Sequence, residues 1–335
     1  MDSMKKVLVT GGAGYVGAAL IPRLLADGLT VRVLDLCLYG KDVLPRDPHL
    51  ELVEGDIRDP EVVKRCVEGM DAVIHLACIS NDPSFELDPK LGKSINFDAF
   101  EPLVEASVAA GVKRFVYASS SSVYGVSDAD EVTEDHPLNP LTDYSKFKRD
   151  CEPILLKRQS ESFAPVVIRP ATVCGYSPRL RLDLTVNILT NHAVTNGEIK
   201  VFGGAQRRPN IHIADMVELY AMLLSLPAAR VSGKTWNVGY QNQTISRIAA
   251  LVKETVEEEM PGKKPIEVVT TPTDDPRSYH ISSERIHRDL GFIPEHTIED
   301  AVADLCAAFQ AGKIPRSMED DVYFNVKRMQ RLEMS

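Results

Sequence analysis

The stretch "VLVTGGAGYVGAAL", residues 7–20, decides the fold of this chain. Gly11, Gly14 and Gly17 form a GxxGxxG run that follows a β-branched segment and opens a helical pattern. Glycines allow a tight turn and close approach of a diphosphate, whose charge is attracted by the free N–H groups of a helix N-terminus. The run therefore predicts a dinucleotide-binding turn, although by itself it also fits a glycine turn of purely structural use. The residues expected at the ligand are Gly11, Gly14, Tyr15, Val16 and Gly17.

Outward from this turn, short apolar runs alternate with helical patterns as far as "PVVIRP" at 165–170. Strands separated by 10 to 15-residue helices are typical of right-handed βαβ units in a parallel sheet that is covered on both faces. We therefore predict an α/β fold with a Rossmann-type doubly wound parallel sheet and a smaller C-terminal α/β substrate lobe. The expected parts are a dinucleotide-binding domain at 1–170, an interleaved lobe at 171–315, and a tail at 316–335 that is either disordered or docked.

The composition is that of an ordinary globular protein. A formal net charge of −10, with no basic stripe, argues against partners such as nucleic acid or an anionic membrane surface. No run of about 18 apolar residues is present, so we expect no membrane span and a cytoplasmic protein. The six cysteines form no CxxC pair and the histidines form no HExxH motif, so we predict reduced thiols and no catalytic metal.

Two aspartates follow the second and third expected strands. Asp35 ends "VRVLDL", 18 residues past Gly17, where a carboxylate accepts hydrogen bonds from a ribose diol and repels a 2′-phosphate. This favours NAD over NADP. Asp56 in "EGDIRD" could bind an adenine amino group, with Ile57 beside it, or could simply be a turn residue.

The segment "LTDYSKFKRDCE", residues 141–152, contains the expected reacting groups. Tyr144 and Lys148 are one helical turn apart and share a face, whereas Lys146 points elsewhere. Free tyrosine has a pKa of about 10, but a nearby ammonium and the positive nicotinamide ring stabilise the phenolate and suit it to acid–base work. Tyr323 and Lys327 repeat the spacing without a cofactor strand before them, and we interpret that copy as coincidence.

The fifth expected strand ends in "SSSS", residues 119–122, at the edge where a cofactor crevice forms. A serine hydroxyl there could hold the sugar oxygen that Tyr144 deprotonates. The alternative is a polar loop that satisfies its own backbone. Two prolines, Pro102 and Pro153, fall inside expected helices, which we expect to be bent or broken.

Together these motifs resemble those of a known enzyme family. The chain resembles the extended short-chain dehydrogenase/reductases that act on nucleotide sugars, in the NAD-dependent epimerase/dehydratase family, to about residue 311. The motifs that match, in order, are GGAGYVG, Asp35, GDIRD, HLA at 75–77, SSSSVYG, Tyr144 with Lys148, and RRPNIHIAD.

The resemblance implies roles for individual residues. Ser120 would be the catalytic hydroxyl, Tyr144 the base, and Lys148 the residue that orients the nicotinamide ribose. The cofactor path would be lined by Leu76, Ala77 and Asn96. The substrate set implied is Ser120, Ser122, Thr172, Arg208 and Arg277, the two arginines gripping the nucleotide diphosphate. Thr172 replaces an asparagine of the family, which puts one diphosphate contact in doubt.

The expected activity is epimerisation of a nucleotide-diphosphate sugar by transient oxidation at C4. The same triad would serve a 4-dehydrogenase or ketoreductase, so that alternative stays open. A 4,6-dehydratase is less favoured, because positions 120–122 lack the aspartate and glutamate that move the proton in that reaction. A non-catalytic NAD-binding regulator is a minor alternative. The resemblance also implies a homodimer, formed through helices near 96–110 and 144–158.

Overall fold

The computed structural model describes residues 4–127, 129, 131–262, 264–273, 278 and 280–333. The strands are β1 (Lys6–Thr10), β2 (Thr30–Asp35), β3 (Leu50–Glu54), β4 (Ala72–His75), β5 (Arg114–Ala118), β6 (Ala164–Pro170), β7 (Thr172–Cys174), β8 (Glu198–Phe202), β9 (Arg207–His212), β10 (Lys234–Val238), β11 (Gln241–Thr244) and β12 (Glu267–Thr271). The helices are α1 (Tyr15–Ala26), α2 (Pro60–Val67), α3 (Asp82–Leu87), α4 (Pro89–Lys93), α5 (Phe100–Ala109), α6 (Asp143–Leu156), α7 (Thr185–Asn196), α8 (Ile213–Ser225), α9 (Ala228–Val231), α10 (Ile245–Glu259), α11 (Glu284–Leu290), α12 (Ile298–Gln310) and α13 (Asn325–Arg331).

The larger sheet is parallel throughout and has the strand order β3-β2-β1-β4-β5-β6-β10. Strand order reverses direction between β1 and β4, which is where doubly wound sheets open a ligand crevice at their carboxyl edge. All four residues of β4 are buried, as expected for a strand covered on both faces. The predicted Rossmann-type fold is confirmed. Its seventh strand, β10, comes from well beyond residue 170.

Two apolar cores lie on opposite faces of this sheet. One packs α1 and α8 against the sheet through residues such as Leu20, Ile21 and Leu219. The other packs α2, α5 and α6 through residues such as Phe100 and Leu155. Each helix therefore contributes an apolar stripe to the layer beneath it, which fixes where the strand ends point.

The smaller lobe has its own core between α7, α10 and α12, beside the two-stranded parallel sheet of β8 and β12. A three-stranded sheet, β11-β9-β7, connects it to the Rossmann part. A fourth cluster, which includes Tyr15, Leu182 and Ile213, packs the two parts together above the glycine turn. This contact closes one side of the crevice.

A break interrupts the helical stretch that contains Pro102. The stretch is divided into α4, a π-helical turn at Ser94–Asp98, and α5, with Pro102 in the first turn of α5. Proline has no N–H to donate to the carbonyl four residues earlier, here Asp98. Pro153, by contrast, is accommodated inside α6, which ends at Leu156. One of the two expected interruptions is therefore present as a break.

No disulfide joins the described cysteines, and Cys66, Cys151, Cys174 and Cys306 are buried. The reduced state of the thiols stays a prediction. Across the described ranges, no helix has the length and apolar character needed to cross a bilayer.

Gly11 begins the turn that connects β1 to α1, and its backbone has a φ of +73°. A Cβ atom at this position would lie 2.5 Å from the backbone nitrogen of Ala77, after β4. The first glycine therefore meets two requirements: a left-handed backbone and close approach of two strand ends. The space that a dinucleotide would occupy therefore depends on the absence of a side chain at Gly11.

We predict that Gly11→Ala destabilises the protein more than Gly28→Ala does. Gly28 has a similar φ of +80° but has open space where a Cβ would lie. Both substitutions place alanine in a left-handed backbone at a cost of about 1–2 kcal/mol, and only Gly11→Ala adds the clash with Ala77, worth about 1–3 kcal/mol more. Urea denaturation of the two variants measures the difference, and equal losses would contradict this account.

Candidate active site

A crevice of about 600 Å³ opens at the carboxyl ends of the parallel strands, between the Rossmann part and the smaller lobe. Nearly all the site residues predicted from the sequence line this crevice. The predicted residues that line it are Gly11, Gly14, Tyr15, Val16, Gly17, Asp35, Asp56, Ile57, Leu76, Ala77, Ser120, Ser122, Tyr144, Lys148, Thr172 and Arg208.

Asp35 connects the end of β2 to the glycine turn. Its carboxylate accepts hydrogen bonds from the backbone N–H of Ala13 at 2.9 Å and of Cys37 at 2.7 Å. Burial raises the pKa of Asp35, while these two hydrogen bonds act in the opposite direction. Each carboxylate oxygen keeps a further lone pair, so Asp35 can still accept hydrogen bonds from a ribose diol.

Two other predicted cofactor residues have protein partners. Asp56 pairs with Arg58, whose Nη2 lies 2.6 Å from Oδ2. Partial burial acts to raise the pKa of Asp56, but the Arg58 hydrogen bonds and charge lower it by more. Tyr15 donates its phenolic hydrogen to the carbonyl oxygen of Gly175 at 2.6 Å, so its polar end anchors the smaller lobe. Contact of Asp56 with adenine stays a prediction.

Asn96 lies behind the crevice and does not line it. It is 4% exposed and belongs to the π-helical turn. Its amide accepts from the Ile79 N–H at 2.8 Å and donates to the Ile79 carbonyl at 2.9 Å. The oxygen and the nitrogen of the Asn96 amide thus both hold the loop after β4. The side chain thereby supports the crevice wall that Leu76 and Ala77 form.

Tyr144 and Lys148 lie on the crevice face of α6, as their spacing predicts. Lys148 is 4% exposed and donates from Nζ to the carbonyl oxygen of Ala118 at 2.7 Å. The same nitrogen is 5.9 Å from the centroid of the Tyr144 ring. Lys146 points to solvent and pairs with Asp143 at 3.0 Å. The ammonium that lies near the phenol is therefore that of Lys148.

Ser120 begins a chain of hydroxyl groups that runs along the crevice wall. Its Oγ is 2.8 Å from the Oγ of Ser122, which is 2.8 Å from that of Ser145. Ser145 is 3.0 Å from the Oγ1 of Thr142, which donates to Asp82 at 2.5 Å. This chain restricts the rotamer of Ser120 and connects the serine segment to the start of α6.

A buried ion pair lies directly behind the serine segment. Arg169 at the end of β6 bonds both carboxylate oxygens of Glu152 on α6, at 2.9 and 2.6 Å. Ser119 donates to the same carboxylate at 2.6 Å, and Arg169 donates to the Tyr124 hydroxyl at 2.7 Å. Burial lowers the pKa of Arg169, but the bonds and charge of Glu152 outweigh burial and raise it overall. The network fixes α6 against β5 and β6.

The substrate residues that the resemblance implies lie at the other end of the crevice. Thr172 begins β7, and Arg208 lies on β9 beside it in the three-stranded sheet. Both line the crevice, as does Ser122. Arg277 falls outside the described residues, so its predicted role as a second diphosphate clamp stays a prediction.

Several polar residues of the crevice were not identified in the sequence analysis, and four of them form one group. Arg179, Arg181 and Asp183 come from "RLRLDL", and Asn325 comes from the C-terminal segment. Arg181 pairs with Asp183 at 2.8 Å and bonds Ser80 at 3.0 Å. The alternation of charged and apolar residues in "RLRLDL" was the available signal, because it places three charges on one side of an extended segment.

The parallel sheet, the glycine cradle and the convergence of serine, tyrosine and lysine define a nicotinamide-dinucleotide enzyme of the Rossmann class. Residues 7–239 match the profile of the NAD dependent epimerase/dehydratase family. The chain belongs to this family, and its cofactor is NAD. The tight turn at Gly11 and the carboxylate of Asp35 fit that cofactor.

Several proteins of known activity are similar to this chain in sequence or in structure. A UDP-glucose 4-epimerase of Lactobacillus helveticus is 28% identical over 321 residues, which cover 89% of this chain and 95% of that protein. A dTDP-D-glucose 4,6-dehydratase of Mus musculus is 30% identical over 315 residues, covering 89% and 86%. The structure of MoeE5 in complex with UDP-glucuronic acid and NAD has a TM-score of 0.80 at 25% identity, covering 92% and 99%. The family thus contains NAD-dependent nucleotide-sugar epimerases and dehydratases.

We predict that Glu152→Gln destabilises the protein by about 3–5 kcal/mol, because it leaves the Arg169 charge buried without its counter-charge. Glu101→Gln is the matched control, since Glu101 pairs with Lys157 at 2.8 Å at the exposed surface and should change stability little. Urea denaturation measures both variants. Similar small losses in both would show that the buried pair does not organise this region.

Proposed function

We propose that this chain epimerises a nucleotide-diphosphate hexose by transient oxidation at C4. The observation that carries the proposal is the position of Lys148: it is buried, bonded to the end of β5, and adjacent to Tyr144 in the crevice that contains Ser120. NAD, when bound, supplies a hydride acceptor that later returns the hydride. The proton transfer and the positioning of the sugar are carried out by side chains of the protein.

Tyr144 removes the proton of the C4 hydroxyl as the carbon is oxidised and returns it when the ketone is reduced. The Lys148 ammonium stabilises the phenolate and has N–H groups left for the nicotinamide ribose. Ser120, held by its hydroxyl chain, donates to the sugar oxygen. C4 would be inverted if the 4-keto sugar turned its opposite face to the cofactor before it was reduced.

The other end of the crevice would bind the nucleotide. Arg208 supplies a planar guanidinium that suits a diphosphate, and Thr172 a hydroxyl beside it. The relatives named above act on UDP- and dTDP-glucose, which supports a nucleotide-sugar substrate for this chain. The homodimer through α5 and α6 stays a prediction.

Loss of a keto product in place of its reduction would make the same site a 4-dehydrogenase or a ketoreductase. Elimination of water requires a carboxyl pair of its own. Positions 120 to 122 are serines, and Asp82 is the carboxylate at the end of their hydroxyl chain. The epimerase is therefore favoured over the 4,6-dehydratase.

We predict that Tyr144→Phe lowers turnover by at least about 100-fold, because the general base is lost, while NAD affinity changes little. Tyr323→Phe is the control, since Tyr323 begins the second YxxxK copy, outside the crevice lining. Turnover of the sugar nucleotide and NAD binding by calorimetry are measured for both. Undiminished turnover by the Tyr144→Phe protein would overturn the proposal.

The reaction is identified by incubating the protein with UDP-, GDP-, CDP- and dTDP-hexoses in deuterated water while absorbance at 340 nm is followed. We expect a C4 epimer, no net accumulation of NADH, and no deuterium in the product. Accumulation of NADH would indicate a dehydrogenase. Deuterium at C5 with loss of water would indicate a 4,6-dehydratase, and deuterium at C3 or C5 without loss of water would indicate a different epimerisation.

A further inference from the structure

The segment at 321–331, which the sequence analysis left without a role, docks at the rim of the crevice. Met329 is 2% exposed and packs in the core beneath α5 and α6. The Tyr323 carbonyl accepts a hydrogen bond from the Leu182 N–H at 2.9 Å. Tyr323 and Phe324 pack against the cluster between the two parts of the protein. The segment is thus docked on the folded protein, and Asn325 is its residue that lines the crevice.

Asn325 connects two loops of the crevice and is 3% exposed. Its backbone N–H donates to Asp183 at 3.0 Å, and its side-chain N–H donates to the Ser80 hydroxyl at 2.9 Å. Its side-chain oxygen accepts from Nη2 of Arg179 at 2.5 Å. Three residues later, Arg328 donates to the Leu38 carbonyl at 2.6 Å, which attaches the segment to the loop after β2.

Arg179 is a buried cation that lacks a contacting counter-charge. It is 3% exposed, and among the described residues no carboxylate lies within ion-pair distance of it. Its guanidinium carbon is 3.5 Å from the centroid of the Tyr39 ring, and its Nε has no hydrogen-bond partner. Burial lowers the pKa of Arg179 to about 10, although the charges of Asp183 and Asp35, which make no ion pair with it, act in the opposite direction. Its neighbour Arg181 is different, because Asp183 neutralises it.

A buried charge is costly unless it is paired, so the position of Arg179 favours the binding of an anion next to it. Arg179 lines the same crevice as Gly14 and Asp35. The anionic group that NAD brings to a glycine turn is its diphosphate. A guanidinium suits phosphate oxygens because its N–H donors form a planar fork.

We propose that Arg179 binds the diphosphate of NAD and that Asn325 positions it, so that the C-terminal segment retains the cofactor. Asn325 binds one edge of the guanidinium at Nη2, and Nε has no partner in the protein. The Tyr39 ring holds the plane of the guanidinium on the other side. Release of NAD would then require the Arg179 contacts to break.

The test measures ligand affinity of the purified apo protein by calorimetry, using NAD, ADP-ribose and adenosine. Arg179→Gln should weaken NAD and ADP-ribose by roughly 10- to 100-fold, the range for a charge-assisted hydrogen bond, and leave adenosine nearly unchanged. Lys327→Ala, at an exposed position of α13, is the control and should change none of the three affinities. Unchanged NAD affinity, or an equal loss for adenosine, would overturn the proposal.

A double-mutant cycle tests the role of Asn325. If Asn325→Ala acts through Arg179, it weakens NAD binding in the wild-type background but adds little to Arg179→Gln. Fully additive losses would refute the positioning role. If Arg179→Gln does not fold, Arg179→Lys replaces it, since it keeps the charge without the fork. It should still lose several-fold in affinity for ADP-ribose and none for adenosine.

Discussion

The ion pair between Arg169 and Glu152 is the interaction on which the rest of the site depends. It joins the end of β6 to the middle of α6, and through Ser119 it also holds the end of β5. Ser120 follows directly on the chain, and Lys148 is one helical turn before Glu152. Two reacting groups that are remote in sequence therefore have one common anchor. Buried pairs of this kind contribute less to net stability than to a defined geometry.

The structure also explains how an acidic protein can receive an anionic cofactor. The chain has a net charge of −10, whereas Arg179 and Arg208 both line one crevice, in which Asp183 neutralises Arg181. Burial from water strengthens the field of these few charges where a ligand binds. The local arrangement of arginines thus determines which ligands the crevice attracts. The total charge determines only that the rest of the surface repels polyanions such as nucleic acid.

Sequence reasoning succeeded where the chemistry is local. The glycine run, Asp35 at the end of its strand, and the Tyr144 and Lys148 pair each follow from spacing within one element, and the structure places them in one crevice. It failed for contacts between distant segments. Nothing near Asn325 in the sequence indicates that it meets Arg179, and nothing near Asn96 indicates that its amide bonds Ile79 and not a ligand. Such pairings are decided by tertiary packing, which a linear pattern does not encode.

The origin of the seventh strand has a consequence for the synthesis of this protein. β10 is hydrogen-bonded to β6 along Lys234–Val238, so β6 remains an unprotected edge until the ribosome has passed that point. Val166, Val167 and Ile168 are then an exposed apolar edge strand, the type of surface that pairs with other chains. A nascent chain stopped near residue 170 carries the whole glycine turn and yet is prone to aggregate. The edge of the 1–170 part at β6 is therefore covered only once residues 234–238 have been made.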